Sequence, residues 1–313
     1  MTPGVFHRST SDPFRSRRRA WLAWIAVCLI WGTTYLAIKV ALETIPPFLI
    51  SGLRCVLGGL LLVVWLRMTG QAVPGPAAWP RLAVLGFLML TLGNGGVAWG
   101  EQYLASGLTA VFIATSPFWM VAIDSALPGG ERVRPMQWTG VAVGFAGIVL
   151  LVWPELAAAD IGGWGVVAGI VALQIACVGW ALASAITRRR TVSADVLGVA
   201  ALQLVFGGVF LLALATLSGE WERLAFTPRT LAAFVYLVVA GSLVAFAAYS
   251  YALRHLPVSI VSMYTYVNPV IAVVLGTLLL GEPFRISMLL SVVVILAGIA
   301  LVRGWGVRAR SRL

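Results

Sequence analysis

Between residues 21 and 303 long apolar runs alternate with very short polar breaks. The runs cover roughly residues 21–41, 47–66, 81–101, 107–126, 136–153, 163–187, 195–217, 230–251, 257–280 and 285–303. Most approach the ~20 apolar residues that a helix needs to cross a hydrocarbon core of ~30 Å. Their apolar residues are continuous rather than alternating, which predicts helices and not a barrel. The breaks are often Pro or Gly clusters, such as Pro46-Pro47 and Pro128-Gly129-Gly130, and none is long enough for a soluble domain. The pattern predicts an all-α integral membrane protein with ten transmembrane helices.

A second regularity lies over the first. Leu104–Val152 and Leu256–Val302 read alike: an apolar helix with a mid-span proline (Pro117, Pro269), a Gly-Glu-x-apolar-Arg turn (Gly130–Arg134, Gly281–Arg285), then a second apolar helix carrying Ala-Gly-Ile. Upstream, Trp31, Leu53-Arg54 and Gly58-Gly59 align with Trp180, Leu202-Gln203 and Gly207-Gly208. A period this long is too large for a solenoid and marks a duplicated unit. Residues 20–153 form a first five-helix repeat and 163–303 a second. Because five is odd, the second repeat must enter the membrane inverted, the arrangement used by transporters built from two halves.

Composition agrees with this architecture. Hydrophobic residues make up 60% of the chain and charged ones 11%, less than half the charged share of a soluble domain. The net charge of +11 raises nucleic acid as a partner, but 21 of the 22 basic residues are arginines, mostly at the ends of apolar runs, where cytoplasmic anchors sit. No nucleic-acid partner is expected. Ten spans put both termini on one side, and arginine and lysine sort 17 to four in favour of that side, which makes it the cytoplasm. Residues 1–19 then form a cytoplasmic tail and 304–313 a basic one. The run after residue 20 is too long for a signal-peptide core and lacks a small-residue cleavage site, so it reads as an uncleaved first span. Cys28, Cys55 and Cys177 lie inside apolar runs with neither a disulfide framework nor metal spacing. No phosphate-binding G-x-x-x-x-G-K-[ST] loop is present. No metal or cofactor is expected, and no cluster of acids and histidines suggests an enzyme.

Trp31-Gly32-Thr33-Thr34-Tyr35 in the first run, Leu53-Arg54 in the second, mid-span Thr115-Ser116-Pro117 and Asn268-Pro269, and the paired Gly-Glu turns followed by Ala-Gly-Ile recur in a fixed order. In that order they resemble the drug/metabolite transporter superfamily, and within it the ten-helix EamA-type carriers, over about residues 20–303. The resemblance implies export of small metabolites across the bacterial inner membrane; known members include exporters of amino acids, aromatic ones among them. Relatives that carry sugar phosphates use basic residues in the pathway, and Arg54 is the one mid-span basic residue here. Four-helix multidrug relatives depend on a glutamate in the middle of their first span. This first span has none before Glu43 at its far end, so that proton-coupling mechanism does not carry over.

Polar groups in lipid are costly and face protein or water. Trp31, Tyr35, Trp99, Trp119 and Trp180 form an aromatic set suited to flat or apolar solutes, with interfacial belting and packing as the competing role. Trp31 and Tyr35 share a helix face. Tyr264, Tyr266 and Asn268 precede Pro269, and tyrosines two apart cannot both face one cavity. Asn94, Gln174 and Gln203 can hydrogen-bond a solute or glue helices. Arg54 either binds a solute carboxylate or pairs with Glu43 or Glu101, at the same outer level. Pro117 and Pro269 free the carbonyls of Ile113 and Thr265, as hinges beside a pocket or as plain kinks. Asp124 is solvated or near the pathway; His7 and His255 lie too far out for a proton relay.

The expectation is a secondary transporter working by alternating access, exporting aromatic or hydrophobic amino acids or related metabolites. A lipid or drug flippase of the same fold, and an importer, are the alternatives. Spans one, three, four, six, eight and nine should line a central cavity, with spans five and ten outside. Transport is downhill or coupled to an ion gradient, protons included, and the protein a monomer or homodimer in the bilayer.

Overall fold

The computed structural model describes residues 13–104, 109, 112–129, 135–151, 153, 163–189, 196–280, 290–291, 293–298 and 300–301. These residues are helices and the turns between them, with no strand among them. The first half contains α1 (Pro13–Ala41), α2 (Pro47–Met68), α3 (Trp79–Gly86), a π-helical segment Phe87–Gly95, α4 (Gly96–Gly100), α5 (Ser116–Ala126) and α6 (Pro135–Leu151). The second contains α7 (Trp164–Arg189), α8 (Val196–Leu217), α9 (Pro228–Tyr236), a π-helical segment Leu237–Val244, α10 (Ala245–His255), α11 (Val258–Val261) and α12 (Tyr264–Leu280). Among the described residues, six stretches are long and apolar enough to cross a membrane, three in each half: Arg17–Ala41, Pro47–Met68, Pro76–Gly100, Trp164–Arg189, Val196–Leu217 and Pro228–His255. Leu22, Leu29, Leu60, Leu61, Val64 and Leu214 stand exposed, which fits a surface whose solvent is lipid rather than water. Both Gly-Glu turns lie outside the described residues.

Two expectations about local structure change. The fourth apolar run does not hold one helix with a kink at Pro117. Residues 114–115 are a turn, and α5 begins at Ser116 with Pro117 in its first turn, where a missing N–H costs nothing. In the second half the turn is Ser262-Met263, upstream of Pro269, which lies within α12. Ser and Thr hydroxyls offer the backbone alternative partners: Ser262 Oγ donates to the Ser259 carbonyl at 3.1 Å and Thr265 Oγ1 to the Ser262 carbonyl at 2.9 Å. The two halves therefore break their fourth helix at different positions.

The halves meet through the helices that the repeat makes equivalent. α2 packs on α8, and one glycine of each aligned pair, Gly59 and Gly208, lies in that seam. A Cβ on Gly59 would sit 2.8 Å from the Ala201 carbonyl oxygen, and one on Gly208 would sit 2.7 Å from Val56 N. Gly86 and Gly207 abut: a Cβ on Gly207 would lie 2.6 Å from Gly86 O. Small residues let backbones approach in lipid, where apolar burial against another helix gains little over burial against acyl chains. Gly298 stacks on Gly144, and its Cβ would lie 2.7 Å from Gly140 O, so the fifth and tenth apolar runs pack on each other.

At one face a polar seam crosses between halves. α2 begins Pro46-Pro47 and has no side-chain cap of its own. The cap comes from the other half: Oε2 of buried Glu220, in the short 3-10 turn Glu220–Arg223, accepts from Leu49 N at 2.9 Å, satisfying a helix-end N–H that would be orphaned. Beside it, Ala225 N donates to Thr44 O at 3.1 Å, Thr44 Oγ1 to Thr230 Oγ1 at 2.9 Å, and Arg229 pairs with Glu43 at 3.2 Å.

Two predictions follow from these contacts. Gly207→Ala forces its Cβ into the unyielding Gly86 backbone and should lower stability by about 1–3 kcal/mol, seen as a lower thermal midpoint in detergent. Gly75→Ala, where a Cβ meets nothing within 4 Å, should leave it within about 0.5 kcal/mol. Burial pushes the Glu220 carboxyl above the usual carboxylate range, against the pull of the Leu49 and Phe48 amides and Arg223. A raised value in the folded chain means the stabilisation is present in acid and lost as pH rises through that value. Glu220→Gln keeps an acceptor and cannot titrate, so wild type should lose thermal stability relative to it on going from acid to neutral pH.

Candidate functional site

A cavity with an empty volume of about 730 Å³, open solvent at its mouth included, lies between the halves. Each of the six spans expected to line it contributes, and α2 and α8 add Arg54 and Leu204. One wall is aromatic. Trp31 lies 5.4 Å from Trp180, 5.0 Å from Tyr264 and 5.2 Å from Tyr249, ring centre to ring centre. Trp31 and Trp180 occupy equivalent repeat positions and meet edge to face, a favoured geometry for aromatic pairs. Each indole N–H is satisfied. Trp31 Nε1 donates to the Gly241 carbonyl at 3.0 Å, and Trp180 Nε1 to the Tyr249 hydroxyl at 2.8 Å, which also lies 2.8 Å from Ser184 Oγ.

The two π-helical segments face this cavity from opposite halves, Gly93 and Asn94 from one, Gly241 and Ser242 from the other. π turns inside α-helices are rare and gather at functional sites. Here they bring backbone against aromatic rings. A Cβ on Gly93 would lie 2.8 Å from Trp180 Cε3, so only glycine lets Trp180 lie against that turn. Asn94 Nδ2 faces Cys55 Sγ at 3.8 Å, and its carbonyl takes Ser51 Oγ at 3.4 Å.

The breaks also border the cavity, through Ile113 and Ser116 on one side and Tyr264 and Asn268 on the other. Their backbone groups are answered by side chains. The Phe112 carbonyl has Thr115 Oγ1 at 2.7 Å, Gln174 Nε2 at 3.3 Å and Cys177 Sγ at 3.8 Å. Asn268, with its amide turned to donate, reaches Tyr264 O at 3.0 Å and Cys28 O at 3.1 Å, leaving its oxygen toward the Tyr35 hydroxyl. Tyr264 faces the cavity, whereas the Tyr266 hydroxyl donates to Val141 O at 2.8 Å in a different cluster. The two tyrosines part as helix geometry requires.

Arg54 is the cavity's cation. It is 6% exposed, its Nε has no partner, and among the described residues no carboxylate lies within ion-pair distance. Neither expected acid pairs with it: Glu43 holds Arg229, and both oxygens of Glu101 are buried without a hydrogen bond. Asp124 is neither solvated nor in the cavity. It is 2% exposed, and Oδ1 accepts from Arg189 Nη1 at 2.6 Å.

The cavity thus brings together Trp31, Tyr35, Arg54, Asn94, Trp180, Tyr264 and Asn268, and leaves out Trp99 and Trp119. The Trp99 and Tyr103 rings meet at a tilt, their centres 4.9 Å apart. Trp119 is 39% exposed and donates to Gln174 Oε1 at 3.0 Å. Of the two hinge candidates, Pro117 is buried at the start of α5. Sequence reasoning missed Phe246, Cys177, Ser242 and buried Tyr249, and it missed the π segments. The clustered glycines Gly93, Gly95 and Gly96 inside an apolar run were the available signal for the first segment.

The profile of the EamA-like transporter family matches residues 18–153 and again 167–304. The inner membrane transporter YedA of Escherichia coli, described as uncharacterized, is 32% identical over 90% of this chain and 89% of its own length. The uncharacterized transporter YvbV of Bacillus subtilis is 30% identical over 92% of both chains, and a chloroplastic WAT1-related protein of Arabidopsis thaliana is 28% identical over 90% of this chain and 69% of its own. A crystal structure superposes with a TM-score of 0.76 at 22% identity, covering 93% of this chain and 98% of that one, and shows the same fold. With the profile matched in both halves and relatives at this identity along nearly the whole chain, the protein is a multi-pass membrane transporter and belongs to the EamA-like transporter family.

Proposed function

We propose that the protein exports aromatic or hydrophobic amino acids, or closely related metabolites, across the inner membrane by alternating access. The observation that carries this reading is one cavity that combines an aromatic wall with a buried, unpaired guanidinium. An indole or phenyl ring packs on Trp31, Trp180 and Tyr264, and a carboxylate takes the donors of Arg54. Asn94 and Asn268 supply further polar contacts. Bringing such a solute from water offsets the cost of holding a charge in low dielectric, because the solute arrives with the counter-charge.

Ten spans in two inverted halves with both termini in the cytoplasm complete the reading. The arginine distribution supports it, and so does the meeting of Trp31 with Trp180 near the junction of the halves. Exchange of shape between the halves opens the cavity to one side and then the other. The turns at 114–115 and 262–263 are the places where the fourth helix of each half bends, with Pro117 and Pro269 limiting how it re-forms. Without a nucleotide site, the driving force is the solute gradient or an ion gradient, with protons as the candidate ion.

Purified protein in liposomes should move labelled phenylalanine or tryptophan, and absence of flux for every amino acid tried would reject the assignment. Arg54→Gln should weaken apparent affinity by about tenfold or more, the worth of a hydrogen bond to a charged group, with normal amounts of protein in the membrane. Trp31→Phe keeps a ring but strands the Gly241 carbonyl, and should cost about 1–3 kcal/mol of stability. Trp31→Ala should in addition abolish saturable transport. An unchanged KM in Arg54→Gln would remove Arg54 from the site.

A further inference from the structure

We infer that Tyr249, which lies behind the cavity wall, is a positioning residue that sets the preference for flat solutes: it fixes the Trp180 ring, and the fixed ring selects aromatic over branched aliphatic amino acids. The inference rests on the amino-acid reading above and adds a residue and a rule of selectivity to it.

Five aromatic residues line the cavity: Trp31, Tyr35, Trp180, Phe246 and Tyr264. Tyr249, on α10, is fully buried and packs against four of them from outside. Its ring centre lies 5.2 Å from that of Trp31, 5.3 Å from Trp180, 5.8 Å from Tyr264 and 6.5 Å from Phe246. Its hydroxyl closes a loop of hydrogen bonds that starts and ends on Trp180. Trp180 Nε1 donates to the Tyr249 hydroxyl at 2.8 Å. Ser184, one turn further along α7, gives its single proton to the Trp180 carbonyl at 2.6 Å. Ser184 Oγ therefore accepts from the Tyr249 hydroxyl, 2.8 Å away, since a hydroxyl has one proton to donate. Each donor in the loop has one acceptor, and all three residues are buried. The benzo part of the Trp180 ring meets Gly93, where a Cβ would lie 2.8 Å from Cε3. The indole is thus held at its N–H and against its far ring, with little freedom to turn.

A fixed aromatic face favours a solute that stacks on it. A phenyl or indole ring gains from an aromatic partner in a set orientation, and binding need not order the wall first. A branched aliphatic chain gains only from leaving water for apolar volume, which a turned ring still offers. Without the Tyr249 hydroxyl, the Trp180 N–H is buried with no acceptor, a costly state that the ring relieves by turning. The loss then falls on flat solutes.

Calorimetric binding of phenylalanine and of leucine to the full-length protein in detergent tests the rule. Wild type should hold phenylalanine about fivefold or more tighter than leucine. Tyr249→Phe keeps the ring and removes the hydroxyl; it should lose most of that ratio by weakening phenylalanine, with leucine within about twofold of wild type. In a Trp180→Phe background there is no N–H to strand, so adding Tyr249→Phe should leave the ratio where Trp180→Phe alone puts it. If Tyr249→Phe does not accumulate in the membrane, Ser184→Ala opens the loop at its next link and should lower the ratio by about twofold or more. Equal weakening of both amino acids by Tyr249→Phe would leave Tyr249 a structural role only and overturn the inference. No preference in wild type, an unchanged ratio in either single variant, or a further change in the Trp180→Phe background would overturn it as well, with the pocket still standing. Wild type that binds neither amino acid would bring down the amino-acid reading itself and this rule with it.

Discussion

Within hydrocarbon no water answers a backbone N–H or C=O, so every departure from regular helix must be met by the protein itself. That constraint shapes the centre of this molecule. Where the fourth helix of the first half breaks, Thr115, Gln174 and Cys177 converge on the Phe112 carbonyl. Where the corresponding helix of the second half breaks, Ser262 and Thr265 answer it locally and Asn268 ties it to α1. At the second π segment the Trp31 indole answers Gly241. The polar residues that border the cavity therefore hold its irregular backbone in place and face its contents at once. A mutation there disturbs both roles unless it preserves the hydrogen bond.

The same economy appears between the halves. Lipid tails are as apolar as leucine, so helices associate through close backbone approach rather than through burial alone. Gly59 of α2 and Gly208 of α8 each lie against the backbone of the other helix, and both belong to the glycine pairs that the internal alignment matches. Equivalent surfaces packing on each other leave a junction into which equivalent side chains project. The contact between Trp31 and Trp180 is the aromatic expression of that relation.

The chain announced much of this. Run length and composition expose the membrane spans, because a helix in lipid needs an unbroken apolar length. The duplicated segments expose the two-repeat plan. Seven of the nine proposed contact residues share one cavity because a polar or aromatic group deep in a span has few other places to go. Trp99 lies elsewhere because a tryptophan near a span end is equally at home against a neighbour or at an interface, and Trp119, though mid-span, gives its indole N–H to Gln174. Hydropathy does not encode hydrogen-bond register, so it could not show the shift from α to π in Phe87–Gly95 and Leu237–Val244, and only the glycines of the first segment hinted at it. Position along the helix axis placed Glu43 level with Arg54, but it carries no information about rotation around that axis, and Glu43 faces Arg229 instead.

Symmetry of scaffold does not extend to symmetry of charge. Arg54 and Gln203 occupy equivalent positions, yet Arg54 enters the cavity without an ionic partner, while buried Gln203 lies 3.4 Å from Thr187 Oγ1. Glu220, which caps α2 from the opposite half, has no acidic counterpart in the stretch after α2, where Gln71 donates locally to Thr69 at 3.2 Å. A duplicated scaffold supplies two interchangeable shapes, but a pair of identical charges facing one cavity would repel each other and could not bind one end of a solute selectively. Divergence at these few positions makes the two halves chemically distinct, while glycines at close helix contacts stay common to both.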